Sequence, residues 1–263
     1  SDVLAKWKRF RWQGLVKVWA VFMAIALVLL VESLGVHYGA TRFDITYLDR
    51  NKAIPAANAI AGEKATNLLV VDSSQEGVSD AEAMLDQILL DMKVPTTTVD
   101  VADENAEFPA LTHYSTIVVA MPNLDRLGEH VLQIMQWAKK GGGVMFAMTP
   151  EKTGYLDVIG PQIGIESSTY EYVATEGITP SEDFMLGGGQ TYTFSDPFKS
   201  SLSVALDDRA QVEAVSSNGR TPLVWRNAVE SGTAVMCNIG IYGKVFRGFY
   251  ASAFSLLGSA TAY

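Results

Sequence analysis

Cysteine and histidine are scarce in this chain of 263 residues, which contains one cysteine and three histidines. The single cysteine, Cys237, excludes an intramolecular disulfide bond and any zinc or iron–sulfur site built from several cysteines. The histidines, His37, His113 and His130, form no HExxH motif and have no close metal-ligand spacing. The sequence therefore predicts no metal site.

Motifs for phosphate binding and for nucleophilic catalysis are also missing. The run Gly141–Gly143 precedes a predicted strand instead of joining a strand to a helix, and Gly187–Gly189 has no lysine, serine or threonine in P-loop register. No serine lies in a GxSxG elbow, and Cys237 within AVMCNIG is typical of a small buried side chain. We expect no cofactor and no catalytic residue of these classes.

Basic residues are few outside the N-terminal segment. Five of the 20 basic residues and two of the 29 acidic residues fall in residues 1–40, so residues 41–263 carry a net charge of −12. Nucleic acid requires a basic surface, because its backbone carries one negative charge per nucleotide. We therefore exclude nucleic acid as a partner.

One long uncharged run is present, from Val18 to Val31, and it follows a basic cluster at residues 6–11. As a helix its 14 residues would cover about 21 Å of a hydrocarbon core of about 30 Å, and apolar or snorkelling flanking residues could supply the rest. The positive-inside rule then predicts a cytoplasmic N-terminus. Residues 1–40 are thus interpreted as a cytoplasmic tail and a single transmembrane helix in the plasma membrane, with the acidic domain outside the cell.

Two alternatives to this anchor remain open. The segment Ser33-Leu34-Gly35 places small residues at the spacing of a signal-peptidase site, and a short apolar core suits a signal peptide. The second alternative is a helix buried in a protein core. The anchor and the signal peptide predict the same orientation.

Beyond an irregular segment at residues 41–66, interpreted as a juxtamembrane linker, residues 67–263 show the alternation of an α/β domain. Four apolar or β-branched runs of strand length alternate with helices that we expect to begin at the capping box Ser79-x-x-Glu82 and at Asp125. This order predicts a doubly wound parallel sheet. After Ile165 short strands and turns predict added antiparallel strands, with a type I′ hairpin at Asn218-Gly219. The strand predictions for the parallel sheet are Asn67–Asp72, Thr97–Val101, Thr116–Met121 and Val144–Met148.

Two groups of residues are candidates for ligand binding. Asp72, Asn123 and Glu151 follow predicted parallel strands, and ligands of such sheets bind at the carboxyl ends of the strands. The alternative is that Asp72 caps a loop and Glu151 is solvated. The second group lies in the stretch Tyr242–Tyr250, where Tyr242, Lys244 and Arg247 could stack on sugar rings and hydrogen-bond their hydroxyls, or where the aromatic residues could instead fill the core around a glycine turn.

The arrangement of residues 67–148 resembles the flavodoxin-like core of class I glutamine amidotransferase-like domains. The segments Pro222–Trp225 and Gly232–Gly240 look like the closing strands of the non-catalytic members, such as the trimerisation domain of some β-galactosidases. Catalytic members carry a cysteine at an elbow after the fourth strand, where this chain has Met148-Thr149-Pro150. The resemblance implies the fold without amidotransferase activity.

An N-terminal membrane segment, such a domain and the stretch Asn238–Tyr250 together resemble an uncharacterised Gram-positive family. In that family the domain stands ahead of a polysaccharide-deacetylase-like module and often occurs beside Pel-type exopolysaccharide genes. The deacetylase signatures, an Asp-Asp pair after a Thr-Phe strand and a His-x-x-x-His metal pair, do not occur before Tyr263.

The resemblance implies a non-catalytic extracytoplasmic module of a membrane-bound exopolysaccharide biosynthesis or modification protein. We expect such a module to bind exopolysaccharide or other membrane biosynthesis proteins. The alternatives are a hydrolase acting at the strand-end crevice through Asp72 and Glu151, and an oligomerisation or sensor domain.

Overall fold

The computed structural model describes residues 15–27, 65–166, 171–240 and 246–261, with the side chains of 195–200 and 259–261 left out. The chain divides into two units, Ser1–Gly62 and Glu63–Tyr263.

In the first unit, residues 15–27 form a helix, α1, which at 1.5 Å per residue is about 20 Å long. Its large apolar side chains are exposed, among them Trp19 at 66% and Phe22 at 74%. In the parts of the chain that the structure describes, no helix has both the length and the hydropathy needed to cross a bilayer. The end of the predicted apolar run (28–31), Ser33-Leu34-Gly35 and most of the predicted linker lie outside the described residues.

The second unit is built on a sheet whose nine described strands run in the order β2-β1-β3-β4-β9-β8-β7-β5-β6. The first five strands of this order are mutually parallel, and the pairs from β9 to β6 are antiparallel. The predicted mixed α/β architecture, a parallel sheet extended by antiparallel strands, is confirmed. The strands are β1 (Asn67–Val71), β2 (Thr96–Asp100), β3 (Thr116–Ala120), β4 (Gly143–Phe146), β5 (Glu171–Pro180), β6 (Tyr192–Ser203), β7 (Gln211–Ser216), β8 (Pro222–Val229) and β9 (Gly232–Cys237).

Among the described residues of this unit, four α-helices accompany the sheet. From β1 the chain moves to one side, through α2 to β2, and from β3 it moves to the other side, through α3 to β4. Because parallel crossovers are right-handed, this reversal places α2 and α3 on opposite faces of the sheet. Strands β1 and β4 are buried along their whole length, as strands covered on both faces must be. The helices are α2 (Val78–Asp91), α3 (His130–Lys139), α4 (Gly154–Ile159) and α5 (Arg247–Ser255).

Both predicted helix starts are wrong. Gly77, in the left-handed conformation at φ 78°, precedes α2, and no side chain caps its first turn, so Ser79 lies inside the helix. Asn123 caps a 3₁₀ turn at Leu124–Leu127, and Gly128 ends this turn before α3 begins. A capping signal in the sequence cannot predict these glycine conformations, because the surrounding packing selects them.

The hairpin at Asn218-Gly219 is present between β7 and β8, but the predicted turn type is wrong. A type I′ turn needs positive φ at both central residues, whereas Gly219 has φ 73° and Asn218 does not have positive φ. The amide N–H of Gly219 donates to Ser216 O at 2.8 Å, and that of Ser216 donates to Thr221 O at 2.8 Å. This pattern is that of a type I turn followed by a left-handed glycine.

Candidate functional site

The carboxyl end of β1 carries a carboxylate that is completely buried. Asp72 has no exposed surface, and both of its oxygens accept hydrogen bonds. Oδ1 accepts from the backbone N–H of Ser74 at 3.0 Å and from the Ser74 hydroxyl. Oδ2 accepts from Gln75 Nε2 at 2.9 Å and from Arg126 Nε at 3.1 Å. The carboxylate therefore holds together the β1–α2 loop and the turn that precedes α3.

The Gln75 side chain joins this carboxylate to Asn123. Its Oε1 accepts from the backbone N–H of Asn123 at 2.8 Å, and its Nε2 also lies 3.3 Å from Asn123 O. The Asn123 side chain is used locally, since its Oδ1 accepts from the N–H of Asp125 at 3.0 Å. The structure thus brings the predicted residues Asp72 and Asn123 together, through a glutamine that sequence reasoning did not select.

Hydrogen bonding decides the ionisation of Asp72. Burial by itself would raise the pKa of this carboxyl, but the donors on Ser74, Gln75 and Arg126 outweigh burial and hold the pKa below its ordinary value. A general acid at neutral pH needs a raised pKa and an accessible proton. Asp72 has neither.

Glu151 lies at the same edge of the sheet but contributes only its backbone to the contacts there. Its N–H donates to Pro122 O at 2.9 Å, and its side chain is exposed. The elbow Met148-Thr149-Pro150 precedes Glu151. Its Thr149 hydroxyl is buried and has no hydrogen-bond partner in the described part of the chain. The exposure of Glu151 agrees with the alternative prediction from the sequence, in which the Glu151 side chain is solvated.

The second predicted group is described only in part. Tyr242 and Lys244 lie outside the described residues, whereas Arg247 is half-buried and begins α5. Phe249 and Tyr250 are buried, with ring centroids 5.5 Å apart. These two aromatic residues fill the core.

Two side chains that hydrogen-bond to Asp72 were not predicted from the sequence. Gln75 and Arg126 are separated by 51 positions and fit no motif, so only their placement at neighbouring strand ends relates them. The sequence offered one signal for such a site, a polar residue just after a predicted strand. That signal selected Asp72, but it did not distinguish Gln75 from the other polar residues of the same loop. Cys237 is fully buried in β9, where burial raises the pKa of its thiol.

A set of interacting carboxylates is carried by α2 and the end of β2. Burial and, second to it, the nearby charge of Glu82 together raise the pKa of Asp86 to about 6. Burial and then the charge of Asp100 raise the pKa of Glu82. Across the described ranges, no three His, Cys, Asp or Glu side chains are placed to hold a metal ion.

Asp86 is expected to make stability fall as the pH rises. The folded chain keeps the Asp86 proton up to about pH 6, whereas in the unfolded chain the group titrates near its ordinary value of 3.8. Unfolding therefore releases a proton between these values, and the free energy of unfolding decreases across this window. Asp86→Asn should raise that free energy by on the order of 1 kcal/mol at about pH 8, after allowance for solvent screening, and by much less near pH 4.

Urea unfolding of both proteins at the two pH values measures the effect. Asp183→Asn is the matched control, because Asp183 is exposed and its carboxylate makes no hydrogen bond or ion pair among the described residues. An equal change at both pH values for Asp86→Asn would contradict the prediction.

The sequence profile of one bacterial family matches almost the whole chain beyond its first residues. The family is described as "Uncharacterised protein conserved in bacteria (DUF2194)", and the match covers residues 22–203 and 190–263. The chain belongs to this family. Among curated proteins, none matches the sequence.

Solved structures of low sequence identity share the fold of this member of the DUF2194 family. One is the exo-β-1,4-mannosidase Op5Man5 from Opitutaceae bacterium strain TAV5, with a TM-score of 0.54 at 15% identity over 77% of this chain and 37% of that one. The cytoplasmic protein STM1381 from Salmonella typhimurium LT2 gives 0.54 at 12% identity, over 74% of this chain and 98% of that protein. A β-galactosidase from Bacillus circulans sp. alkalophilus gives 0.52 at 14% identity, over 74% and 31%.

The chain thus spans about a third of the length of these two glycosidases and nearly all of the Salmonella protein. At such identities the likeness concerns the fold alone.

Proposed function

We propose that this chain is a non-catalytic extracytoplasmic module of a membrane-bound exopolysaccharide biosynthesis or modification protein, and that it binds polymer or a partner protein. The observation that carries the non-catalytic part is the state of Asp72. This carboxylate occupies the strand end where a sheet of this kind places its reactive groups, yet it has no exposed surface and both oxygens are hydrogen-bonded. Its role is structural, because it connects the β1–α2 loop to the turn before α3.

The proposed scaffold is a flavodoxin-like, glutamine amidotransferase-like domain that lacks the nucleophile. In support, the parallel strands follow the order β2-β1-β3-β4-β9, which corresponds to the flavodoxin-like order 2-1-3-4-5. The elbow after β4 carries Thr149 where the catalytic members have a cysteine, and Cys237 is buried inside β9. The Thr149 hydroxyl is hydrogen-bonded to no base among the described residues, and a hydroxyl that no base activates is a poor nucleophile.

The proposed location is the outer face of the plasma membrane, with the N-terminus in the cytoplasm. The uncharged run Val18–Val31 and the basic residues before it support this arrangement. Retention of the chain in membranes after alkaline carbonate extraction tests it. A mature N-terminus at Val36 would identify a cleaved signal peptide and overturn the anchor.

The main rival is a hydrolase at the strand ends. The exposed Glu151 side chain, close in sequence to the unpartnered Thr149 hydroxyl, is the observation that favours it. A hydrolase would need this carboxylate as an acid, a base or a nucleophile, whereas a binding module would not.

The substitution Glu151→Gln, made in the source bacterium, distinguishes the binding module from the hydrolase. Under our proposal, cells that lack residues 65–263 secrete less exopolysaccharide, and cells that carry Glu151→Gln secrete the normal amount. Secreted polymer and immunoblotted protein are measured together, with Glu166→Gln as the control at another exposed glutamate. Loss of polymer in Glu151→Gln at normal protein abundance would support the hydrolase.

A further inference from the structure

A broad groove lies at the edge of the sheet opposite to the Asp72 site. Its volume is about 1230 Å³, and it is bounded by the segment Pro109–Thr116, by α3 and by residues 257–258. Thr116 and Gly143 begin β3 and β4, so this groove is at the amino ends of the parallel strands. Sites for a single small ligand usually measure about 300–1,000 Å³, so this groove has room for a longer ligand.

Trp137 is the aromatic surface of this groove. A Cβ placed on Gly142 would lie 2.5–2.6 Å from three atoms of the Trp137 six-membered ring, so the backbone of Gly142 lies flat against one indole face. Trp137 is half-buried: it packs in part against the hydrophobic core and in part lines the groove. Within the described residues, the indole N–H has no hydrogen-bond partner.

Neutral polar side chains line the same groove as this ring. Gln133, Gln136, Thr112 and Ser115 are exposed and line the groove. Gln133 Oε1 lies 3.0 Å from His130 Nδ1, and the side chains of the other three have no hydrogen-bond partner in the described part of the chain. Amides and hydroxyls can both donate and accept, which matches the hydroxyl groups of a sugar.

The charges of the groove cancel. Its lining contains one acidic residue, Glu129, and one basic residue, Lys140. An anionic ligand such as a phosphate would need an excess of cations, and a cationic ligand would need an excess of carboxylates. A purely apolar ligand would leave the amides and hydroxyls without partners, which costs free energy.

We infer that this groove binds a segment of an uncharged polysaccharide, with one sugar ring stacked on Trp137 and the neighbouring hydroxyls bonded to Gln136 and Gln133. This inference rests on the proposed function and specifies where and how polymer is bound. The apolar face of a hexose fits an aromatic ring while its equatorial hydroxyls meet polar groups at the rim. The Asp72 site at the opposite edge is not involved.

Titration of the full chain in lipid nanodiscs with defined oligosaccharides tests the inference. The probes are β-1,4-linked hexasaccharides of glucose, mannose and N-acetylglucosamine, and alkyl-glycoside detergents are avoided because their headgroups are sugars. Calorimetry should give saturable binding of at least one hexasaccharide with a Kd of about 1 mM or below. Trp137→Ala should weaken it at least about tenfold, as loss of a central aromatic contact does.

Two further variants separate a binding defect from a folding defect. Gln136→Ala changes an exposed side chain without a described partner and should weaken binding by a smaller factor with unchanged melting temperature. Tyr192→Ala, which removes an aromatic ring 42% exposed elsewhere on the domain, should leave binding unchanged.

The outcomes distinguish this inference from the proposed function. Saturable binding that survives both Trp137→Ala and Gln136→Ala would overturn the groove while the binding function stands. Absence of binding to every hexasaccharide up to about 10 mM overturns the groove as a site for neutral polysaccharide. In that case a loss of secreted polymer on deletion of residues 65–263 would still support the proposed function through a partner protein.

Discussion

Asn238→Asp is expected to lower the free energy of unfolding by about 3–5 kcal/mol at neutral pH, because it leaves two buried carbonyl oxygens without a donor. Asn238 is fully buried just after β9. Its Nδ2 donates to Leu202 O at 2.7 Å and to Pro222 O at 2.9 Å, and its Oδ1 accepts from the N–H of Leu202 at 2.8 Å. One amide thereby connects β6 and β8 to the end of β9.

An aspartate at this position has the same shape but the wrong hydrogen-bonding groups. A carboxylate has no donor for the two carbonyl oxygens, and its charge would be buried without a described cation beside it. Protonation in acid restores one donor, so the deficit should be smaller at about pH 4 than at about pH 7.

Chemical denaturation of wild type and variant at both pH values measures this difference. Asn105→Asp is the matched control, because Asn105 is exposed in the β2–β3 connection and should change stability by less than about 0.5 kcal/mol. A variant at position 238 that is as stable as this control would show that the three hydrogen bonds do not hold the antiparallel strands in place.

Asp72→Asn is expected to cost about 2–4 kcal/mol, because hydrogen bonds to a buried charged group contribute more than neutral ones. The amide of the variant would direct its own N–H groups at donors on Ser74 or Gln75. The ion pair with Arg126 contributes little of this cost, since the Arg126 side chain is 55% exposed. Arg126→Ala should therefore cost less than about 1 kcal/mol.

The Asp72 contribution has the opposite pH dependence to that of Asp86. Its pKa is lowered in the folded chain, so its contribution is complete above the ordinary value of 3.8 and disappears as the pH falls through the folded pKa. The difference between Asp72→Asn and wild type should narrow in strong acid. Asp208→Asn, at an exposed carboxylate without a described side-chain contact, is the control, and a constant difference at all pH values would contradict the structural role of Asp72.

Strands β1 to β4 of the parallel half were predictable because their sequence signals are local, whereas β9 pairs parallel with β4 although the strands after Ile165 were predicted to be antiparallel. Runs such as Asn67–Val71 and Gly143–Phe146 are buried on both faces, and continuous burial appears in the sequence as continuous hydrophobicity. The buried residues of α2 and α3 are apolar and follow the helical period, which is another local signal. Caps were not predictable, because Gly77 and Gly128 adopt conformations that tertiary packing selects.

The candidate sites were less accessible to sequence reasoning. Asp72 was selected because it follows a strand, but its complete burial and its hydrogen bond from Arg126, in the turn before α3, could not be predicted from that position. The groove at Trp137 has no motif at all. It exists because the β2–β3 connection, α3 and the segment after α5 meet at the amino edge of the sheet.

By itself, therefore, the sequence determined the alternation of strands and helices, the acidic surface and the lack of a nucleophile or metal-binding motif, because these depend on residue type and short-range period. Only the tertiary structure decided what Asp72, Gln75 and Asn238 do. Each acts through residues distant in the chain, and burial together with the available donors and acceptors determines whether a polar side chain holds the fold or faces solvent. Asp72 and Glu151 both follow the carboxyl end of a parallel strand, yet the Asp72 side chain is buried and hydrogen-bonded whereas the Glu151 side chain is exposed.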